Sequence, residues 1–190
     1  MTGTSTTSMS IPRRINATLI APEASPTELL LGYGAAVAGA IFAVVAGLAA
    51  DWTLISVTVI GLVAFDLFGG ATVNALPSAK RWFHRPGRTA RHHLAFVAVH
   101  VQPFLVALVV PGFGWWTALV VYLTMLGAAA VVLAAPPALR RPVGYALATL
   151  SLAIIAAAMP VPAAIAWFVP VLSIKLLLAH LQSERDGWGR

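Results

Sequence analysis

Polar side chains come in bursts along this chain, and the stretches between the bursts are almost uniformly apolar. Six such stretches follow one another: Leu29 to Ala49, Thr53 to Ala71, His93 to Val110, Trp115 to Ala134, Val143 to Met159 and Ala163 to Leu181. Each is near the ~20 residues that a helix needs to cross a bilayer. The links near Asp51, near Pro111-Gly112 and near Pro160-Val161-Pro162 are very short, which forces antiparallel hairpins. The pattern predicts an all-α, polytopic integral membrane protein with six transmembrane helices over 27–182.

Composition agrees. The chain is 59% hydrophobic and 9% charged, with a mean hydropathy of +0.88. A soluble domain carries about 25% charged residues, so this one could not cover a water-facing globule. Cysteine is absent, which removes disulfides, thiolate metal sites and a cysteine nucleophile.

The placement of charge sets the predicted orientation. Arg13 and Arg14 precede the first span. Lys80, Arg81, Arg85, Arg88 and Arg91 lie in a loop over 72–92, between spans two and three. Arg140 and Arg141 lie between spans four and five, and Arg185 and Arg190 follow span six. All face one side if both termini are cytoplasmic, and the opposite links carry only Asp51. This is the positive-inside pattern of a multi-pass protein in the plasma (cytoplasmic) membrane. Residues 1–26, rich in Ser, Thr and Pro, read as a flexible cytoplasmic tail, and 183–190 as a second one. The apolar run after Arg14 is too short and too interrupted for a signal peptide.

Against this background a few residues stand out. Asp66 is a carboxylate inside span two, where its insertion costs about 2.5–3.5 kcal/mol and calls for a partner. Gly70 and Asn74 continue its helical face. His93 and His100 share a face of span three, because seven residues make almost two turns. If spans two and three touch along these faces, Asp66 comes near His100 and Asn74 near His93. Lys175 in span six competes for Asp66. Gln102 and Tyr122 are polar groups with the bundle as their default partner. Pro103 and Pro170 should kink spans three and six.

Asp66, His93 and His100 are also the donors that would suit a divalent metal, with His84, His92 or His180 as additions. The two histidines lie about 10 Å apart along the helix axis, so one ion would need converging side chains. The compact histidine boxes of membrane di-iron enzymes are missing. A haem between His100 and His180 has no fixed spacing to support it. No phosphate-binding loop, serine-hydrolase elbow or Asp-rich prenyl-diphosphate motif is present.

The basic loop has two readings. Topology alone accounts for its charge. A sharper reading lets Lys80, Arg81, Arg85 and Arg88 hold a lipid headgroup or phosphate, with Trp82 and Phe83 in the interface. Membrane lipids are therefore the expected partners. Nucleic acid is not, because the basic stretch is short and lies against the bilayer. In span one, Ala35, Gly39, Ala43 and Gly47 recur every fourth residue, a ladder that could serve the bundle or a homo-oligomer.

Three functions fit these residues. The first is a membrane enzyme acting on an apolar or lipidic substrate near the inner leaflet. Asp66 and His100 would be its acid–base pair or metal ligands, with Asn74 and His93 positioning the substrate. The second is a proton- or ion-coupled transporter working as an oligomer. The third is a non-catalytic partner subunit.

Overall fold

A computed structural model of the chain describes residues 16, 17 and 19–183. Most of the tail expected over 1–26, with Arg13 and Arg14, lies outside the described residues, as do 184–190. Among the described residues there are no strands, and six helices are long and apolar enough to cross a membrane. They are span one (Pro26–Ala49), span two (Leu54–Ala75), span three (Ala90–Val109), span four (Trp115–Ala134), span five (Pro137–Ala158) and span six (Ala163–His180). Many large apolar side chains stay exposed on them, among them Leu30, Ile41, Leu54, Leu62, Leu108 and Ile154. A soluble protein rarely shows such surface, whereas a lipid-facing shell requires it.

Several helices begin earlier than the apolar runs suggest, because proline suits a first helical turn and needs no hydrogen-bond acceptor there. Span one starts at Pro26. Its N-cap is Ser25, whose hydroxyl accepts from the Glu28 N–H while the Glu28 carboxylate accepts from the Ser25 N–H. Span five starts at Pro137, so Arg140 and Arg141 belong to its first turns. The Arg140 guanidinium donates to the carbonyls of Leu133 and Ala135, which span four leaves unpaired at its end. Between spans two and three the chain forms a short helix, Pro77–Phe83, then a turn in which Gly87 takes φ +89°.

Span two is the central element and packs against spans one, three and six. Its contact with span one is a seam of small residues: Gly32, Ala36, Gly39, Ala43 and Gly47 are buried on that face. The buried row thus runs through Ala36 rather than Ala35, and it is filled by span two of the same chain. A side chain at Gly39 would meet Phe68 at 2.4 Å, and one at Gly69 would meet Ala36 at 2.7 Å. Absent side chains let the two backbones approach. Ile20, just before span one, is also buried, packed near Gly32 and Val73.

Two spans are discontinuous. Span three consists of one helix over Ala90–Ala98 and another over Gln102–Val109, with His100 in the break. Pro103 lacks the N–H that a continuous helix would donate to Val99. The freed carbonyls find other donors: Tyr122 Oη–H donates to Ala98 at 2.8 Å, and His100 Nδ1–H to Phe96 at 2.5 Å. Span six runs as a 3₁₀ turn at Ala163–Ile165, an α-helix at Phe168–Ser173 that contains Pro170, and a π-helix at Ile174–His180.

Candidate functional site

Asp66 lies about two and a half turns before the end of span two at Ala75. That places it near the middle of the span, where an unpaired charge is costly. Its Oδ2 receives the Lys175 ammonium at 2.6 Å and the Gln102 amide at 2.9 Å. Lys175 also donates to the Asp66 backbone carbonyl at 3.2 Å. Three elements therefore meet at one carboxylate oxygen: span two, the first residue of the second half of span three, and the π-helix of span six.

The route of Lys175 to this point depends on Gly70. A Cβ there would come 2.5 Å from Lys175 Cε and 2.8 Å from Nζ. Gly70 thus leaves a channel across span two through which the lysine stem passes. The pair is asymmetric. The Lys175 side chain is 3% exposed and that of Asp66 is 49% exposed. Asp66 opens on a cavity of about 270 Å³ between spans one and two, which Gly32, Tyr33, Phe65, Gly69 and Ile20 help to line. Tyr33 donates to the Asn16 side chain at 2.8 Å at that end of the molecule.

The histidines form a second group, nearer the helix ends. His93 Nδ1 and His180 Nε2 are 3.2 Å apart. His84, from the link after the short helix, stacks on His93 with ring centres 4.5 Å apart. Its Nε2 lies 2.9 Å from the His180 carbonyl, so Nε2 carries the proton in that bond. Phe96 stacks on His180 at 3.7 Å and sits 4.5 Å from His100. His93, His100 and His180 are all buried, and His180 Nδ1 has no hydrogen-bond partner among the described residues.

The residues singled out in the sequence thus divide. Of the two candidates to pair with Asp66, Lys175 makes the contact, joined by Gln102. His100 bonds its own helix and lies within reach of the charges of Lys175 and Asp66. His93 turns to His180. Asn74 is buried on span two. Among the described residues no three His, Asp or Glu side chains are placed to hold one metal ion, so Asp66, His93 and His100 are not brought together as a ligand set. Among the basic residues, the Lys80 ammonium donates to the carbonyls of Ala179 and Gln182 at the end of span six. Arg85 lies over the Trp82 ring, 3.7 Å from its centre, and donates to the Trp82 carbonyl.

Gln102 and Phe96 were not legible as parts of a site. Gln102 did carry a signal: it is a lone amide beside a proline in an apolar span, where a freed helix end would aim it inward. Comparison with family models, curated proteins and solved structures finds no match for this chain.

Proposed function

We propose that this chain is a proton-linked membrane transporter in which Asp66 is the protonation site and Lys175 its internal counter-ion. The observation that carries the reading is the Asp66–Lys175 ion pair at the junction of the two discontinuous spans. Intramembrane carboxylates and lysines mark ion and proton pathways. Broken helices are tolerated at membrane depth where they line a site, and paired interruptions in the two halves of a chain point to that site. Here spans three and six, the last of each half, are the broken ones.

The chemistry follows from the pair. A proton on Asp66 removes the negative charge that holds Lys175. The buried ammonium then needs another acceptor or must shift, and it sits on a π-helix, a local form that recurs at functional sites. Gln102 is held by the same oxygen, so spans three and six feel one event together. Protonation of a single carboxylate thereby becomes movement of two spans against span two. In this reading both termini and the basic helix Pro77–Phe83 face the cytoplasm, and Arg81, Arg85 and Arg88 meet anionic headgroups of the inner leaflet.

The test is proton movement into vesicles containing the purified protein and a pH-sensitive dye, driven by an imposed potential. Wild-type protein is expected to move protons, and Asp66→Asn to fall to the level of empty vesicles. Equal rates from the two proteins, with equal amounts inserted, would sink the reading.

A second reading rests on the cavity beside Asp66. Its lining is mostly apolar and the carboxylate is half exposed to it. That arrangement would suit an enzyme acting on a lipidic substrate, with Asp66 as its acid–base group. Turnover of added lipids in detergent, with no gradient present, separates this from transport.

A further inference from the structure

Resting on the proton-linked reading, we infer that His93 and His180 form the inner entry path for the proton, with His84 stacked at its mouth, and that the Phe96 ring is the gate between this path and the Asp66 site. The juxtaposition is specific. His93 and His180 come from different spans, yet their ring nitrogens are 3.2 Å apart. His84 stacks on His93 from the basic link outside the spans. The chain of rings thus begins at the end of the bundle where Lys80, Arg88 and Arg140 are found and continues inward through span three.

Proton balance works with no other reactant. With His93 donating through Nδ1–H, His180 accepts at Nε2 and holds its own proton on Nδ1. That Nδ1 is buried and has no hydrogen-bond partner among the described residues. A proton taken up by His93 at Nε2 moves Nδ1–H across to His180, and His180 releases its Nδ1 proton inward. No electron is transferred and no bond other than N–H is made or broken. The next ring inward is Phe96, stacked 3.7 Å from His180 and 4.5 Å from His100. A phenyl ring neither takes nor gives a proton. Transfer from His180 to His100, and on to the Asp66–Lys175 pair, therefore waits on displacement of that ring.

Among the described residues, the titratable and charged groups that face His93 and His180 are His84, His92, His100, Lys80, Arg88 and Arg140. Asp66 lies beyond Phe96, within reach of His100.

The experiment uses the full chain in phosphatidylcholine–phosphatidylglycerol vesicles with a trapped pH dye and a potassium-diffusion potential. His93→Phe and His180→Phe are expected to lose most of the wild-type proton flux, and Phe96→Leu to raise it. The two directions are opposite, which general damage to folding would not produce. Nitrogen NMR of ¹⁵N-histidine-labelled wild type provides a second measurement, independent of flux. It should show one ring donating through Nδ1 and another accepting at Nε2; equivalent, unbonded rings for His93 and His180 overturn the path. No flux from wild type overturns the transport reading and the path with it. Flux that vanishes in Asp66→Asn but is unchanged in His180→Phe and His93→Phe keeps the ion-pair reading and overturns the path alone.

Discussion

The two faces of span two differ in almost every respect. One packs on span one through the small residues Gly32, Ala36, Gly39, Ala43 and Gly47, with both helices unbroken. The other meets spans three and six, both broken, through Asp66, Gln102 and Lys175. The first contact is held by close van der Waals approach, since lipid offers no hydrophobic drive between helices. The second is held by charge and hydrogen bonds in a place where leaving them unmade is costly. A seam of the first kind has one good arrangement. In the proton-linked reading, a contact of the second kind loses its energy in a single protonation, so the polar side is the one expected to move.

The sharpest way to break that contrast is to remove one charge. Asp66→Ala leaves a buried ammonium uncompensated. Its expected cost is about 3 kcal/mol, at the low end for buried pairs because Asp66 itself is half exposed. Adding Lys175→Met should recover most of the loss, because an apolar chain of similar length needs no partner. Thermal unfolding in detergent of the two single variants and the double variant measures the coupling. If the double variant is as unstable as the sum of the singles, the pair does not hold spans two and six together.

The seam should respond to volume instead. Gly39→Ala places a methyl group 2.4 Å from Phe68 Cγ and 2.5 Å from its Cβ, atoms near the backbone that cannot swing away. Overpacking of this kind costs about 1–3 kcal/mol. Gly34→Ala on the same helix meets nothing within 4 Å and should be neutral or slightly stabilising. Equal melting temperatures for the two variants would remove the seam from the comparison.

How much of this could be read in the sequence follows from the same contrast. The six spans were legible because apolar length is set by bilayer thickness and needs no knowledge of partners. The small-residue ladder was legible as a packing face, but one position off at Ala36, since an α-helix has 3.6 residues per turn and a strict four-residue step drifts. Asp66 was legible as an anomaly, and its partner was not decided. The register that set Asp66 beside His100 assumed a continuous span three; at the break His100 bonds the Phe96 carbonyl and stays within reach of the Asp66 charge, while Asp66 itself bonds Lys175 and Gln102. Lys175 reaches Asp66 only because Gly70 opens a channel, a relation between side-chain path and backbone that spacing does not contain. The histidine cluster joins residues 84, 93 and 180 across three elements, so no local pattern announced it.

Between the two faces in effect lies the support of the broken helix. Tyr122 donates to the Ala98 carbonyl that the break in span three releases. Tyr122→Phe leaves that carbonyl unpaired and should cost about 1 kcal/mol. If the break is maintained for the site, the variant should also alter proton flux more than Gly34→Ala does. Flux and stability both equal to wild type would mean the carbonyl finds another donor and the tyrosine is dispensable.

The smallest expected effect concerns where both faces end, at the links near Glu28. The Glu28 carboxylate accepts from the Ser25 N–H at 2.8 Å through Oε2 and from the Ser78 N–H at 3.0 Å through Oε1. Ser25 caps span one and Ser78 is in the first turn of the helix Pro77–Phe83, so one side chain satisfies orphan donors at two helix starts. A carboxylate serves both because each oxygen is an acceptor and its negative charge suits helix N-termini. Glutamine keeps the length but has one acceptor oxygen, and must give up one of the two bonds. Glu28→Gln is therefore expected to cost under about 1 kcal/mol, well below the ion-pair variant. Amide hydrogen exchange locates the loss: either Ser25 or Ser78 should exchange faster, with the seam residues Ala36 and Ala43 unchanged. Faster exchange throughout span one would mean that this clamp, rather than the small-residue seam, holds spans one and two together.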